Sequence, residues 1–330
     1  MSNFMYFLGI DVSKNKLDCS LILDVSTNKR RAKSINNSPA GISELLTWCV
    51  KHQVAVQEIH AVMEGTGVYH ETAALALTDA GVTVSIVNPA QVKDFGRSLG
   101  VRTKTDGVDS FVLARFGALL NPKPWIPPSK EARTLQALLS RREAISQDLQ
   151  RERNRLEKAD ATDTPQLICQ SIVDSIAFME NQLTKLQQDI DDHINKHPQL
   201  KADRELMISI PAVGPQVSNH LLAVMHNHQF QSAEQLAAYL GLVPVERQSG
   251  TSIKGHPRLS KAGPAHIRAI LYMAAIVGIR HNPHIKALYQ RLQERGKTKM
   301  SSLGAAMRKL VHLCFGVLKT RQPYQANYAI

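Results

Sequence analysis

The chain has 330 residues, 43% of them hydrophobic, and carries a formal charge of +12 from 40 Lys and Arg against 28 Asp and Glu. That length accommodates two or three domains with a sizeable core. No run approaches the ~18–20 apolar residues of a membrane span, and the N-terminus lacks the basic-then-apolar order of a secretion signal, so the cytosol is the expected compartment.

Cys19, Cys49, Cys169 and Cys314 lie far apart without a CxxC, which argues against a zinc knuckle or a disulfide framework. The charge is unevenly spread. Residues 1–200 hold 23 basic and 23 acidic side chains; residues 201–330 hold 17 and 5, and from Arg247 onward only Glu294 is acidic. A basic final third beside a neutral remainder predicts a polyanionic partner.

In chain order, the apolar stretch around Gly9 and Ile10 reads as a buried strand that ends at the carboxylate Asp11, and Leu17 to Leu23 returns after a polar turn. A charge in such a setting requires a partner. A third strand over Lys29–Ser34 and a helix over Pro39–His52 follow, and the strand Ile59–Met63 delivers Glu64 into the turn Gly65–Thr66–Gly67. A helix over Ala73–Ala80 and a strand over Val82–Val87 complete an α/β alternation. Asp11 and Glu64 thus stand at the carboxyl ends of strands, where open α/β sheets place ligands.

Thr103–Asp109 leads into an apolar helix, Phe111–Leu120. Asp106 and Asp109, three apart, share one helical face. Either alone reads as a charge complementing the helix N-terminus; both together, preceded by Lys104 and joined to two strand-end acids, favour a metal site. Four converging carboxylates repel and are tolerable chiefly when divalent cations neutralise them.

The proline-rich stretch 121–128 reads as a linker. Beyond it, Leu135, Leu138, Arg142, Ile145, Leu149 and Leu156, then Ile172, Ile176, Met179, Leu183, Leu186 and Ile190, follow heptad spacing, which predicts an antiparallel helical hairpin and a dimerisation arm. Ile210–Pro211–Ala212–Val213–Gly214 between two helices has the pattern of a helix–hairpin–helix, whose exposed N–H groups hold phosphate without reading sequence. Further helices are expected over Ala233–Leu240, Pro264–Arg280 and Ser302–Leu318. The stretch from Arg247 to Gly263, rich in hydroxyls and glycines and free of acids, suits a phosphate backbone; by its chemistry alone it reads equally well as a flexible basic loop.

Three patterns are set aside. His226–Asn227–His228 spells an HNH nuclease but reads as a polar loop, His193 and His197 have metal-ligand spacing without a third ligand, and Gly65–Thr66–Gly67 is too short for a dinucleotide loop.

Gly9–Ile10–Asp11–Val12–Ser13–Lys14, Glu64–Gly65–Thr66–Gly67–Val68–Tyr69, Lys104–Thr105–Asp106 with Asp109, the Ile-Pro-x-Val-Gly turn, and Ser249–Gly250–Thr251–Ser252 through Ser260–Lys261–Ala262–Gly263 stand in the order and approximate spacing of the DEDD transposases. The chain resembles that family throughout; it comprises insertion-sequence recombinases that include the pilin-gene invertases and, in some members, are guided by a bridge RNA.

The resemblance implies an α/β plus α architecture in three parts. These are a RuvC-like, RNase H-like catalytic domain (residues 1–128), an antiparallel coiled-coil hairpin (129–200), and a mainly helical transposase domain with helix–hairpin–helix and serine loop (201–330). It implies Mg²⁺ bound by Asp11, Glu64, Asp106 and Asp109, and a serine nucleophile, Ser249. Relatives often read Ser-Gly-Ser-Ser where this chain has Ser-Gly-Thr-Ser, so Ser252 stays open as the alternative. Nucleic-acid contacts are expected from Lys104, Arg247, Lys254, Arg258, Lys261, Gly214 and Arg268. The implied partners are donor and target DNA and a structured guide RNA, with a homodimer or homotetramer assembled on DNA at the nucleoid.

Three other classes compete with this one. A metal-only junction resolvase would use water as nucleophile. A sugar-kinase or actin-like ATPase also opens on Gly-Ile-Asp but needs a Gly-Thr phosphate loop that Val12–Ser13–Lys14 does not supply. A non-catalytic scaffold would not need its acids.

Overall fold

The computed structural model describes residues 6–65, 67–100, 105–246, 248–249, 253–254 and 258–327. The chain divides into two compact units, Met1–Pro127 and Pro128–Ile330.

The first unit is built on a five-stranded sheet of order β3-β2-β1-β4-β5. Its strands are β1 (Tyr6–Val12), β2 (Lys16–Asp24), β3 (Lys29–Asn36), β4 (Ile59–Glu64) and β5 (Thr83–Val87). β1, β2 and β3 run antiparallel in succession, whereas β1, β4 and β5 are parallel. Alternation sorts the side chains. Leu8 and Ile10 join a core with Leu45 of α1 (Pro39–Lys51) and Leu77 of α2 (Tyr69–Asp79). Phe7 packs on the opposite side with Ala114 of α4 (Asp106–Leu120). Between β5 and α4 lies α3 (Pro89–Ser98), with Asn88 accepting a bond from the Ala90 N–H at its start.

Stretch 121–128 is non-helical, as expected, and is strapped to the sheet. The Trp125 N–H donates to the Val84 carbonyl at 2.7 Å and Ser85 Oγ donates to the Lys123 carbonyl at 2.7 Å. His60 Nε2 lies 2.8 Å from Ser85 Oγ, and burial pushes that imidazole down to about 4, so it is neutral at pH 7.

The second unit is mostly helical and takes in both the segment expected as a hairpin and the one that follows. α5 (Lys130–Asp160) and α6 (Gln166–Lys196) are 31 residues each and pack on one another, with Arg153 bridging to Glu180 at 2.7 Å. Leu135, Leu139, Ile190 and Ile194 root the pair in the main core. That core also holds α7 (Pro198–Ile208), α8 (Pro215–Asn227), α9 (Ala233–Tyr239), α10 (Ala265–His281), α11 (Pro283–Glu294) and α12 (Lys299–Thr320).

His226 and Asn227 belong to the last turn of α8 rather than to the polar loop expected for them. His226 Nε2 lies 2.8 Å from Asp203 Oδ2, and Asn227 donates to the Ala132 carbonyl at 3.0 Å. Buried Asp203 also binds Arg321; although burial raises its carboxyl, bonds from His226 and Arg321 hold it below the usual range. His193 and His197 serve a helix end, with rings 2.9 Å from the Glu131 carbonyl and 2.7 Å from the His193 carbonyl.

Candidate active site

The acids of the first unit are brought together by strand alternation and one close approach. Gly9 faces α4 so tightly that a Cβ there would overlap the Ser110 carbonyl oxygen and the Ala114 nitrogen. Asp11, two residues on, therefore faces the same side. Val62 also faces α4, against Gly117, which puts Glu64 on that side as well. The parallel pair Ile10↔Met63 sets Asp11 and Glu64 level at the carboxyl ends of neighbouring strands. α4 lies across this face with Asp106 and Asp109 in its first turn, where the helix dipole favours anions. Thr105, the N-cap, makes no side-chain capping bond.

Two further charged residues share the site. Asp18 is the cross-strand partner of Asp11, and Lys16 lies two positions before it on the same face. Lys16 Nζ stands 2.9 Å from Asp18 Oδ1 and 3.6 Å from Asp106 Oδ2. Sequence reasoning misses both residues; their signal is a Lys-x-Asp alternation on the strand returning beside Asp11. Burial and the charges of Asp109, Asp106 and Asp18 push the Asp11 carboxyl above its ordinary range. The hydrogen bond to Asp18 raises the Lys16 ammonium, which stays charged.

The donors fit a hard divalent cation in kind, being carboxylate oxygens with surplus negative charge around Asp11. Among the described residues no three His, Cys, Asp or Glu side chains are close enough to hold one ion as they stand.

The serine loop lies in the second unit. β6 (Pro244–Val245) pairs antiparallel with β9 (Arg258–Leu259), and inside that base β7 (Gln248–Ser249) pairs with β8 (Ile253–Lys254). The Ser249↔Ile253 pair makes Ser249 the last residue of β7, at the inner end of this nested hairpin. Ser252, Lys104 and Arg247 lie outside the described residues. Arg258 and Lys261 are exposed.

Arg268 is engaged within the fold. Its Nη1 donates to the carbonyls of Ala262 and Gly263 at 3.0 Å each, clasping the base of the loop. Gly241 and Gly263 have positive φ of 71° and 81°, and Cβ atoms there would strike the Ala262 and Tyr239 carbonyls. Gly214 is the N-cap of α8 and has open space around it, whereas Ala212 takes the left-handed conformation of that turn, at φ 79°.

A DEDD-type transposase family model (IS110) matches residues 8–159, and that of the Transposase IS116/IS110/IS902 family matches residues 204–290. The pilin gene-inverting proteins of Moraxella lacunata and Moraxella bovis are each 34% identical over 320 residues, 96% of this chain and 97% of their own. An uncharacterized 43.6 kDa protein of insertion element IS110 from Streptomyces coelicolor is 26% identical over 167 residues, 50% of this chain and 40% of its own. T. thermophilus RuvC in complex with a Holliday junction substrate aligns over 37% of this chain and 99% of its own, at 15% identity and a TM-score of 0.27.

Proposed function

This chain belongs to the IS110 family of DEDD transposases, enzymes that cleave and recombine DNA, and from that premise we propose a site-specific recombinase using Mg²⁺ and a serine nucleophile. The observation that carries the metal reading is the placing of Asp11, Asp106 and Asp109 on the α4 face, where burial first and then the charges of Asp109 and Asp106 raise the Asp11 carboxyl. Asp11, Glu64, Asp106 and Asp109 would hold the metal, which when bound polarises a phosphodiester and stabilises the leaving oxygen.

Ser249 Oγ attacks phosphorus, forming an Oγ–P bond as a P–O bond to deoxyribose breaks; the serine proton leaves and the departing oxygen gains one. The covalent phosphoserine conserves bond energy, so strands are exchanged and resealed without ATP. The pairing of Ser249 with Ile253 supports Ser249 as nucleophile by giving its backbone a strand partner, and Arg268 clasps the carbonyls of Ala262 and Gly263 that follow the outer pair of strands. Exposed Arg258 and Lys261, together with Lys104, Arg247 and Lys254, supply charge for DNA and for a bridge RNA. α7, the turn at Ala212 and α8 act as a helix–hairpin–helix, with backbone N–H groups beside Gly214 on phosphate.

α5 and α6 act as a coiled-coil arm joining two copies. The seam residues Ile172, Ile176, Met179, Leu183 and Leu186 are only half-buried and Phe178 is 65% exposed, which supports association through this arm. The three functional parts are then 1–128, 129–200 and 201–330.

The decisive experiment copurifies the full chain with its nucleic acid, adds DNA and Mg²⁺, and maps covalent adducts by mass spectrometry. An adduct at Ser249 is expected, lost in Ser249→Ala and retained in Ser252→Ala. Recombination without any protein–DNA adduct would reject the serine mechanism in favour of attack by water.

A further inference from the structure

The acidic site carries its own cation, and the backbone holds it there. Ser13 Oγ donates to the Lys16 carbonyl at 2.8 Å and accepts from the Lys16 N–H at 3.2 Å, while the Ser13 N–H donates to that carbonyl at 2.9 Å. The turn into β2 is therefore cinched, and strand alternation turns Lys16 toward the α4 face beside Asp18. The ammonium then ties two elements, β2 through Asp18 and α4 through Asp106.

Ordinary exposed ion pairs contribute little. This one differs in its setting. Among the described residues, Lys16 is the one basic side chain within ion-pair distance of Asp11, Asp18, Asp106 or Asp109. One positive charge stands against a group of carboxylates, too little to neutralise them.

We propose that Lys16 is the built-in counter-ion of this site, holding Asp106 in place until a divalent cation displaces its ammonium. Asp18 gives the displaced ammonium somewhere to stay: at 2.9 Å it is already the nearer partner, so Lys16 releases Asp106 and keeps a carboxylate beside it. Metal and ammonium compete for the same oxygen, and each weakens the other's hold by the same factor. Lys16 is thus a positioning residue, and the inference rests on the metal-dependent reading of the site.

The test is calorimetric titration of the full-length protein with Mg²⁺ alone, without DNA, in wild type, Lys16→Met, Lys16→Arg and Asp11→Asn, beside melting curves in EDTA. Lys16 is half exposed, so its replacement leaves the fold intact. Lys16→Met should bind Mg²⁺ roughly three- to tenfold more tightly and melt earlier than wild type in EDTA, and Lys16→Arg should restore both values. Acetylation of Lys16, followed by mass spectrometry, should speed up when Mg²⁺ is added to wild type.

Unchanged or weaker Mg²⁺ binding by Lys16→Met, with wild-type binding that depends on Asp11, would overturn the role of Lys16 alone. Wild-type binding that is absent, or the same in Asp11→Asn, would remove the metal reading and this inference with it.

Discussion

Asp11 sits in an environment that penalises its charge. Its carboxyl is raised by burial first and then by Asp109, Asp106 and Asp18. A carboxyl raised on folding lends stability that is full below the ordinary carboxylate range and is lost as the pH climbs through the raised value. Asp11→Asn should therefore stabilise the metal-free protein at pH 7 by up to about 1 kcal/mol after solvent screening, an advantage that disappears in acid, while recombination is abolished. Melting curves in EDTA at pH 7 and pH 4 check the sign; a destabilised variant at pH 7 would show that the charge is already compensated. Asp11 and Glu64 are legible because an apolar strand ending in an acid is a local pattern. Lys16 and Asp18 are not, since their meaning lies in the register that sets Asp18 opposite Asp11.

Gly9 decides how close α4 comes to β1, and through that contact where Asp106 and Asp109 stand relative to Asp11. Gly9→Ala should cost about 2 kcal/mol or more and lower cleavage by a larger factor than stability explains, because the helix carrying two of the acids is pushed away. Denaturant unfolding compared with cleavage rate separates the two effects; full activity in a destabilised Gly9→Ala would show that the approach of α4 is merely structural.

Among the helices, those announced by an apolar face are foreseen and those announced only by a cap are missed. Both α3 and α11 open with Asn-Pro, and in each the asparagine side chain accepts a bond from the backbone two residues on. Asn88–Pro89 reads as the end of a strand, although Asn at the N-cap and Pro at N1 begin a helix. A cap followed by proline also opens α1, where Ser38 accepts from the Gly41 N–H, and there it is recognisable because apolar spacing follows it.

Taken as a whole molecule, the chain has two units with separate cores, one around the sheet and one around α5–α12. Calorimetry should resolve two unfolding transitions. Gly9→Ala should lower one, and Arg321→Leu, which strips a partner from buried Asp203, should lower the other by roughly 1–3 kcal/mol. A single transition shifted equally by both variants would show one cooperative unit. The concentration of positive charge after residue 200 also acts over the whole chain, as an attraction for polyanions that weakens with salt.

The order of residues alone settles most of the strand and helix order of the first unit, the positions of Asp11, Glu64, Asp106 and Asp109, the non-helical stretch before Pro128 and the basic C-terminal third. Each of these is written in neighbouring residues or in composition. It took the folded chain to show that Asp18 and Lys16 share the acids' side of the sheet, that Arg268 clasps a loop, and that His226 serves a buried carboxylate. Those roles depend on which strands pair and which backbones meet, contacts between residues far apart in the chain that no local spacing encodes.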